Sequence, residues 1–180
     1  MTSFIHLKYY KTIIIVTICI IVGLYLIIFN TNRFGTIVGN FNGVNAYSNQ
    51  KGETECSDPN YYNGLYTGIK WKCVEYARRY LQMTRGITFD NVDSAFQIPQ
   101  ANFTTLNGGN VKKTNEVKIG SLVIWPKYYK NNDLDGHVAV ISSINSNGIY
   151  VVEQNYDDKT FPRFIHWNDL NNVTIIYPFI

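Results

Sequence analysis

One helical period in mid-chain, followed by a succession of strand patterns, restricts this fold more than any other feature. In Trp71-Lys72-Cys73-Val74-Glu75-Tyr76-Ala77-Arg78-Arg79-Tyr80-Leu81, apolar residues Val74, Ala77 and Leu81 fall at i, i+3 and i+7. Tyr76 and Tyr80 adjoin the same face, which is the spacing of an amphipathic helix. Gly86 provides a C′ residue, so the pattern predicts a helix over 71–84. Gly68 frees the backbone for a sharp entry into it. A second short helix is expected over Val92–Ile98, stopped by Pro99. Beyond it the chain reads as strands at Ser121–Trp125, His137–Ile144, Ile149–Gln154, Arg163–Trp167 and Val173–Tyr177. Asn145-Ser146-Asn147-Gly148 joins the second and third of these as a hairpin, since Asn-Gly is a strong turn signal. A helix followed by an antiparallel sheet is an α+β layout.

The helix begins on a cysteine. Its first turn carries unpaired N–H groups and the positive end of the macrodipole, and both favour an anionic side chain. A thiol there is placed to act as a nucleophile. His137 opens a strand directly after the turn-like Asp133-Leu134-Asp135-Gly136 and is the candidate general base and acid. His6 precedes the apolar N-terminal run and His166 has no motif around it. The hairpin brings the end of its second strand opposite the start of its first, so Glu153 is expected to orient the His137 ring. Asn155, on the same face by alternation, is the alternative third member. The Cys73 backbone N–H is one candidate oxyanion donor, with a second from Ala46-Tyr47-Ser48-Asn49. Glu75 and Tyr76 read as structural. Lys70, Lys72, Arg78 and Arg79 cluster about the cysteine and point to an anionic group on the substrate.

Residues 13–29 contain no charge and eight isoleucines. With Tyr9 and Tyr10 as interfacial aromatics, the run approaches the roughly 20 residues that span hydrocarbon. It ends in Ile27-Ile28-Phe29-Asn30-Thr31-Asn32-Arg33, which offers no small-residue cleavage site, so an uncleaved signal-anchor is expected. Lys8, Lys11 and the terminal amine precede the run while Arg33 closely follows it. The positive-inside rule then leaves the N-terminus cytosolic and the C-terminal domain exoplasmic, either lumenal or extracellular. The organisation expected is a tail at 1–11, a membrane segment at 12–30, a linker at 31–42 and a globular domain at 43–180.

The net charge of +3 is carried by dispersed residues, with no basic arm of the kind that binds nucleic acid. Three cysteines give no disulfide framework, and a Cys56–Cys73 pair is the one bridge that would block the nucleophile. The absence of C-x-x-C, H-E-x-x-H or paired Cys/His spacings argues against zinc. Abundant Asn, Ile, Tyr and Lys reflect AT-rich coding, of the kind found in many large DNA viruses and some protists.

Several segments together resemble the CHAP amidases, and among them the amidase domains of glutathionylspermidine and trypanothione synthetase/amidases. They are Gly43-Val44-Asn45-Ala46-Tyr47-Ser48-Asn49, Gly68 to Arg79, Gly120-Ser121-Leu122-Val123-Ile124-Trp125, Gly136-His137-Val138-Ala139-Val140 and Glu153-Gln154-Asn155-Tyr156. They stand in family order and cover residues 43–177. The resemblance implies a papain-like fold, with Cys73, His137 and Glu153 as nucleophile, base and orienting acid. It also implies Arg78 and Asn155 as substrate-binding residues, with Tyr47 and Ser48 close by. It further implies a peptide-like or glutathionyl-polyamine amide as substrate, with no metal or cofactor required. Other CHAP domains cleave peptidoglycan, and a non-catalytic membrane or virion protein retaining the fold is a further alternative. Lys72 departs from the pattern, because the residue before the nucleophile is usually Gln. A cation there bears directly on a polyamine leaving group.

Overall fold

A computed structural model describes residues 13–23, 34–49, 57–129, 134–156 and 161–180. The chain divides into two compact units, 1–32 and 33–180. In the first, residues 13–23 are helical and almost wholly exposed, with Cys19 free. The other residues of the expected membrane segment, 12 and 24–30, lie outside the described residues. Among the described residues no helix is long and apolar enough to cross a membrane.

The second unit is built on a six-stranded antiparallel sheet and one α-helix. Its strands are β1 (Ile37–Phe41), β2 (Val44–Tyr47), β3 (Pro59–Tyr62), β4 (Leu65–Ile69), β5 (Ile87–Phe89) and β6 (Phe103–Thr105). They continue with β7 (Lys112–Thr114), β8 (Leu122–Trp125), β9 (His137–Asn145), β10 (Gly148–Val152), β11 (Arg163–His166) and β12 (Thr174–Phe179). The order across the main sheet is β11-β10-β9-β8-β12-β7, and three two-stranded ribbons, β1–β2, β3–β4 and β5–β6, lie outside it.

Both faces of the sheet centre are covered. Tyr76, Ala77, Tyr80 and Leu81 of the helix share a core with Leu122, Ile124, Val138, Val140, Val152 and Ile176. The alternate residues Val123, Trp125, Ala139, Ile141, Ile149, Val151 and Ile165 form a second cluster. Period-two alternation divides Leu122–Trp125 between the two clusters, which is why that strand is apolar at every position.

The helix spans Cys73–Arg85, with Lys72 in extended conformation at its N-cap and Gly86 left-handed (φ 62°) at its end. The Gly86 N–H donates to the Gln82 and Leu81 carbonyls, closing the helix as the sequence predicts. The second helix differs from expectation. It is a 3-10 turn over Ala95–Gln100 that contains Pro99 rather than stopping before it. Gln97 Oε1 accepts from the Asp93 and Ser94 N–H groups, a capping box that moves the start past Val92.

The stretch expected as linker, 31–42, contains β1, and the second compact unit begins at residue 33, ten residues before the expected domain start. The cause is a second Asn-Gly turn. Asn42 (φ 50°) and Gly43 (φ 79°) are both left-handed and pair Phe41 with Val44, the backbone of a two-residue hairpin. Asn63-Gly64 does the same between β3 and β4. At the β9–β10 hairpin the turn is tighter than the four residues read from sequence, because Asn145 pairs with Gly148. Asn145 Oδ1 accepts from the Asn147 and Gly148 N–H groups and fixes that turn.

Candidate active site

Two glycines and one bulge deliver the site. Gly68 (φ 142°) lies against the first turn of the helix, where an added Cβ would come 2.9 Å from Glu75 Cα. Only glycine lets β4 pass this close and turn into the helix at Cys73. Gly136 (φ 64°) precedes His137, and a Cβ there would meet the Trp125 carbonyl oxygen at 2.4 Å. The bulge lies between β9 and β10. Tyr150 pairs with Ser143, yet Val151 pairs with Ile141 and Val152 with Val140. Without this one-residue shift, Glu153 would fall opposite Val140 and point to the helix side of the sheet. With it, the strand ends with Val152 opposite Val140, and Glu153, the next residue, reaches His137.

The His137 Nε2–H donates to Glu153 Oε2 at 2.7 Å, with the two side chains 5% and 4% exposed. Cys73, 8% exposed, hydrogen-bonds the same imidazole. Glu153 holds one ring nitrogen, so Nδ1 is the one left for the thiol. Burial disfavours charge on His137, but the Cys73 sulfur and the hydrogen bonds to Cys73 and Glu153 outweigh it and push its pKa up to about 9. Burial likewise works against the Glu153 carboxylate. Hydrogen bonds from Arg163 and His137 overcome it and hold the group below its usual range. Trp125, Tyr129 and Tyr156 surround the imidazole at centroid distances of 5.7, 6.0 and 5.5 Å.

The other expected site residues are placed differently. Asn155 does not continue the strand. β10 ends at Val152 and Asn155 is left-handed (φ 60°), so alternation no longer sets its direction. Its Oδ1 accepts from Asn49 Nδ2 at 2.5 Å instead of meeting His137. Tyr47 packs its ring on Trp71 at 4.0 Å and its N–H donates to Gln154 Oε1. Ser48 is fully buried, and its backbone pairs with Gly35 and Thr36.

The basic cluster read as an anion site is used internally on its arginine side. Arg78, 2% exposed, donates to the carbonyls of Phe89, Thr67 and Asp90. It stacks on Phe89 at 4.4 Å, and the structure does not bring it together with Cys73 and His137. Arg79 is paired with Glu75 at 2.6 Å and also donates to the Asn45 carbonyl and Gln154 Oε1. Cys73 is a free thiol, and Cys56 lies outside the described residues.

Two groups central to the site were not read from sequence. Gln154 Nε2 donates to the Lys72 carbonyl and Glu75 Oε2, while its Oε1 accepts from Tyr47 and Arg79. It therefore fastens the residue after Glu153 to the start of the cysteine helix. Arg163 grips both oxygens of Glu153. The signal for Arg163 was its place at the start of a strand adjoining β10, where it pairs with Val151. Among the described residues no group of three or more His, Cys, Asp or Glu side chains could hold a metal ion.

A cysteine at a helix start, hydrogen-bonded to a strand histidine that is held by a carboxylate, sits on a mixed fold with few helices and an antiparallel sheet. The CHAP domain model matches residues 61–155, just over half of the chain. The chain belongs to the CHAP-domain family, and its class is that of the cysteine amidases and hydrolases. It is 31% identical over 151 residues to the bifunctional glutathionylspermidine synthetase/amidase of Escherichia coli, a match covering 74% of this chain and 24% of the relative. It is 26% identical over 148 residues to the trypanothione synthetase of Crithidia fasciculata, covering 74% and 21%. The chain thus spans less than a quarter of the length of the curated relatives it matches. Among solved structures, that of Ly7917 with the hydrolyzing product of MDP is similar at a TM-score of 0.44 and 17% identity, covering 59% of this chain and 53% of that one.

Proposed function

We propose that this protein is a thiol hydrolase of the glutathionylspermidine-amidase kind, held at a membrane by residues 12–30 with its catalytic domain on the exoplasmic side. Cys73 is the nucleophile, His137 the base and acid, and Glu153 the residue that orients the ring. The observation that carries this reading is the shared imidazole: Glu153 holds Nε2 at 2.7 Å, and Cys73 also interacts with the ring and raises its pKa.

The reaction runs in two halves. The Cys73 sulfur attacks the amide carbonyl while the imidazolium gives its proton to the departing amine. The C–N bond breaks and a thioester remains. Water then attacks the thioester, His137 takes its proton, and the carboxylic product leaves with the thiolate restored. The unpaired N–H groups at the helix start face the developing oxyanion. Glu153 stays ionised throughout and keeps Nε2–H pointed at itself, which leaves Nδ1 for the sulfur and the amine.

The E. coli relative is by name a glutathionylspermidine synthetase/amidase, and Cys73, His137 and Glu153 fall inside the CHAP match at residues 61–155. This favours an amide between a glycine carboxyl and a polyamine. The full chain in detergent, incubated with glutathionylspermidine and separately with purified peptidoglycan, tests it. Release of spermidine with no release of wall fragments is expected. Wall cleavage alone would move the substrate to peptidoglycan. No cleavage of either, together with an unreactive Cys73, would leave a fold retained for binding.

A further inference from the structure

Glu153 is a carboxylate buried to 4% side-chain exposure, and a lone histidine is a poor counter-charge for it, because that histidine must change charge during turnover. Arg163 supplies the fixed one. Its Nε donates to Oε1 at 2.5 Å and its Nη2 to Oε2 at 2.9 Å. Oε2 is the same oxygen that receives the His137 Nε2–H at 2.7 Å. A planar fork on both oxygens sets the plane of the carboxylate as well as its charge. The fork is itself fixed. The guanidinium lies 3.9 Å from the Tyr156 ring centroid and 5.4 Å from that of Trp125, and the backbone of Arg163 is paired with Val151 in the sheet.

We propose that Arg163 is a positioning residue for the reaction, acting through Glu153 to fix the tilt of the His137 ring and to keep the orienting carboxylate ionised. This rests on the reading of Cys73, His137 and Glu153 given above. Among the described residues, the charged and titratable groups that face Glu153 are His137 on β9, with Cys73 of the helix beyond it, and Arg163 on β11. Tyr156 after β10 and Tyr129 after β8 face Arg163 in turn. Of these, Arg163 alone keeps a positive charge through the whole cycle. Without it burial dominates, Glu153 takes up a proton at higher pH, and a protonated carboxyl no longer holds the imidazolium.

The test is the kcat and KM pH profile of the full chain on glutathionylspermidine. For Arg163→Gln, the acid limb of kcat/KM is expected to move up by about one pH unit or more. At neutral pH kcat is expected to fall about tenfold or more, with KM within about threefold of wild type. Arg163→Lys keeps the cation in the same space and so protects the fold. It is expected to restore the acid limb but not kcat, because a point charge cannot hold both oxygens. In a Glu153→Gln background, Arg163→Gln is expected to cost nothing more.

An unmoved acid limb in Arg163→Gln, wild-type kcat in Arg163→Lys, or losses that multiply with those of Glu153→Gln would each overturn the proposal. Failure of the underlying reading looks different: Glu153→Gln alone would then retain full activity.

Discussion

At the level of single residues, the site depends on one hydrogen-bonded line, from Cys73 through His137 to Glu153, closed by Arg163. Burial works against the charged forms of His137 and Glu153, and their neighbours in this line outweigh it. Glu153→Gln keeps the shape but offers Nε2–H a neutral partner. It is expected to lower kcat by about a hundredfold or more, measured as amide hydrolysis at neutral pH. The same substitution removes a cause of the raised His137 pKa, so the alkaline limb, expected near pH 9 in the wild type, should move down. Glu153 was the expected third member and Asn155 the alternative, since strand alternation puts both on one face and only the family resemblance favours Glu153. The separation comes from the end of β10 at Val152 and from the left-handed Asn155, whose side chain meets Asn49 while Glu153 meets His137. Arg78 shows the converse: a cationic residue beside the nucleophile in sequence is spent on three carbonyls in the fold.

At the level of elements, the cysteine helix is tied to its surroundings by polar links as much as by its apolar stripe. Glu75 is fully buried and accepts from Asn60, Thr67, Arg79 and Gln154. Removing one side of such a buried pair leaves the other charge uncompensated. Arg79→Met is therefore expected to lower stability by roughly 3–5 kcal/mol, read from urea unfolding. Gly68→Ala forces a contact on Glu75 Cα in a backbone region that resists side chains. It is expected to cost about 1–3 kcal/mol and to lower kcat by tilting the helix start.

The helix was legible in sequence because its period, entry glycine and closing glycine agree. Five strands of the main sheet, β8 to β12, were legible because their apolar runs are bounded by turns, whereas the edge strand β7 (Lys112–Thr114) has no apolar residue to mark it. The β1–β2, β3–β4 and β5–β6 ribbons were not, since their strands are only three to five residues long, with Asn-Gly turns as the one strong mark of the first two. The 3-10 turn was misplaced because its capping box, not Pro99, sets its limits.

At the level of the whole molecule, pH acts on stability through the same buried charges. His137 has a folded pKa above its unfolded value of 6.5. Its contribution is fully present below pH 6.5 and lost as pH rises through about 9. Glu153 has a folded pKa below its unfolded one, so its contribution is present above the unfolded value and lost as pH falls through the folded one. Unfolding midpoints of the wild type and of Glu153→Gln across pH 3–10 are expected to converge at the acid end.

The anchor is a claim at this scale too. Cysteine-labelling of residue 56 in intact cells is expected to place it outside the cytosol, and cytosolic labelling would reverse the orientation. The central claim is that Cys73 carries the acyl group. Its most direct test is amide hydrolysis by the full chain and by Cys73→Ala under the same conditions. A loss of roughly a thousandfold or more is expected, with an acid-quenched thioester found by mass on the Cys73 peptide of the wild type. Undiminished hydrolysis by Cys73→Ala would contradict it.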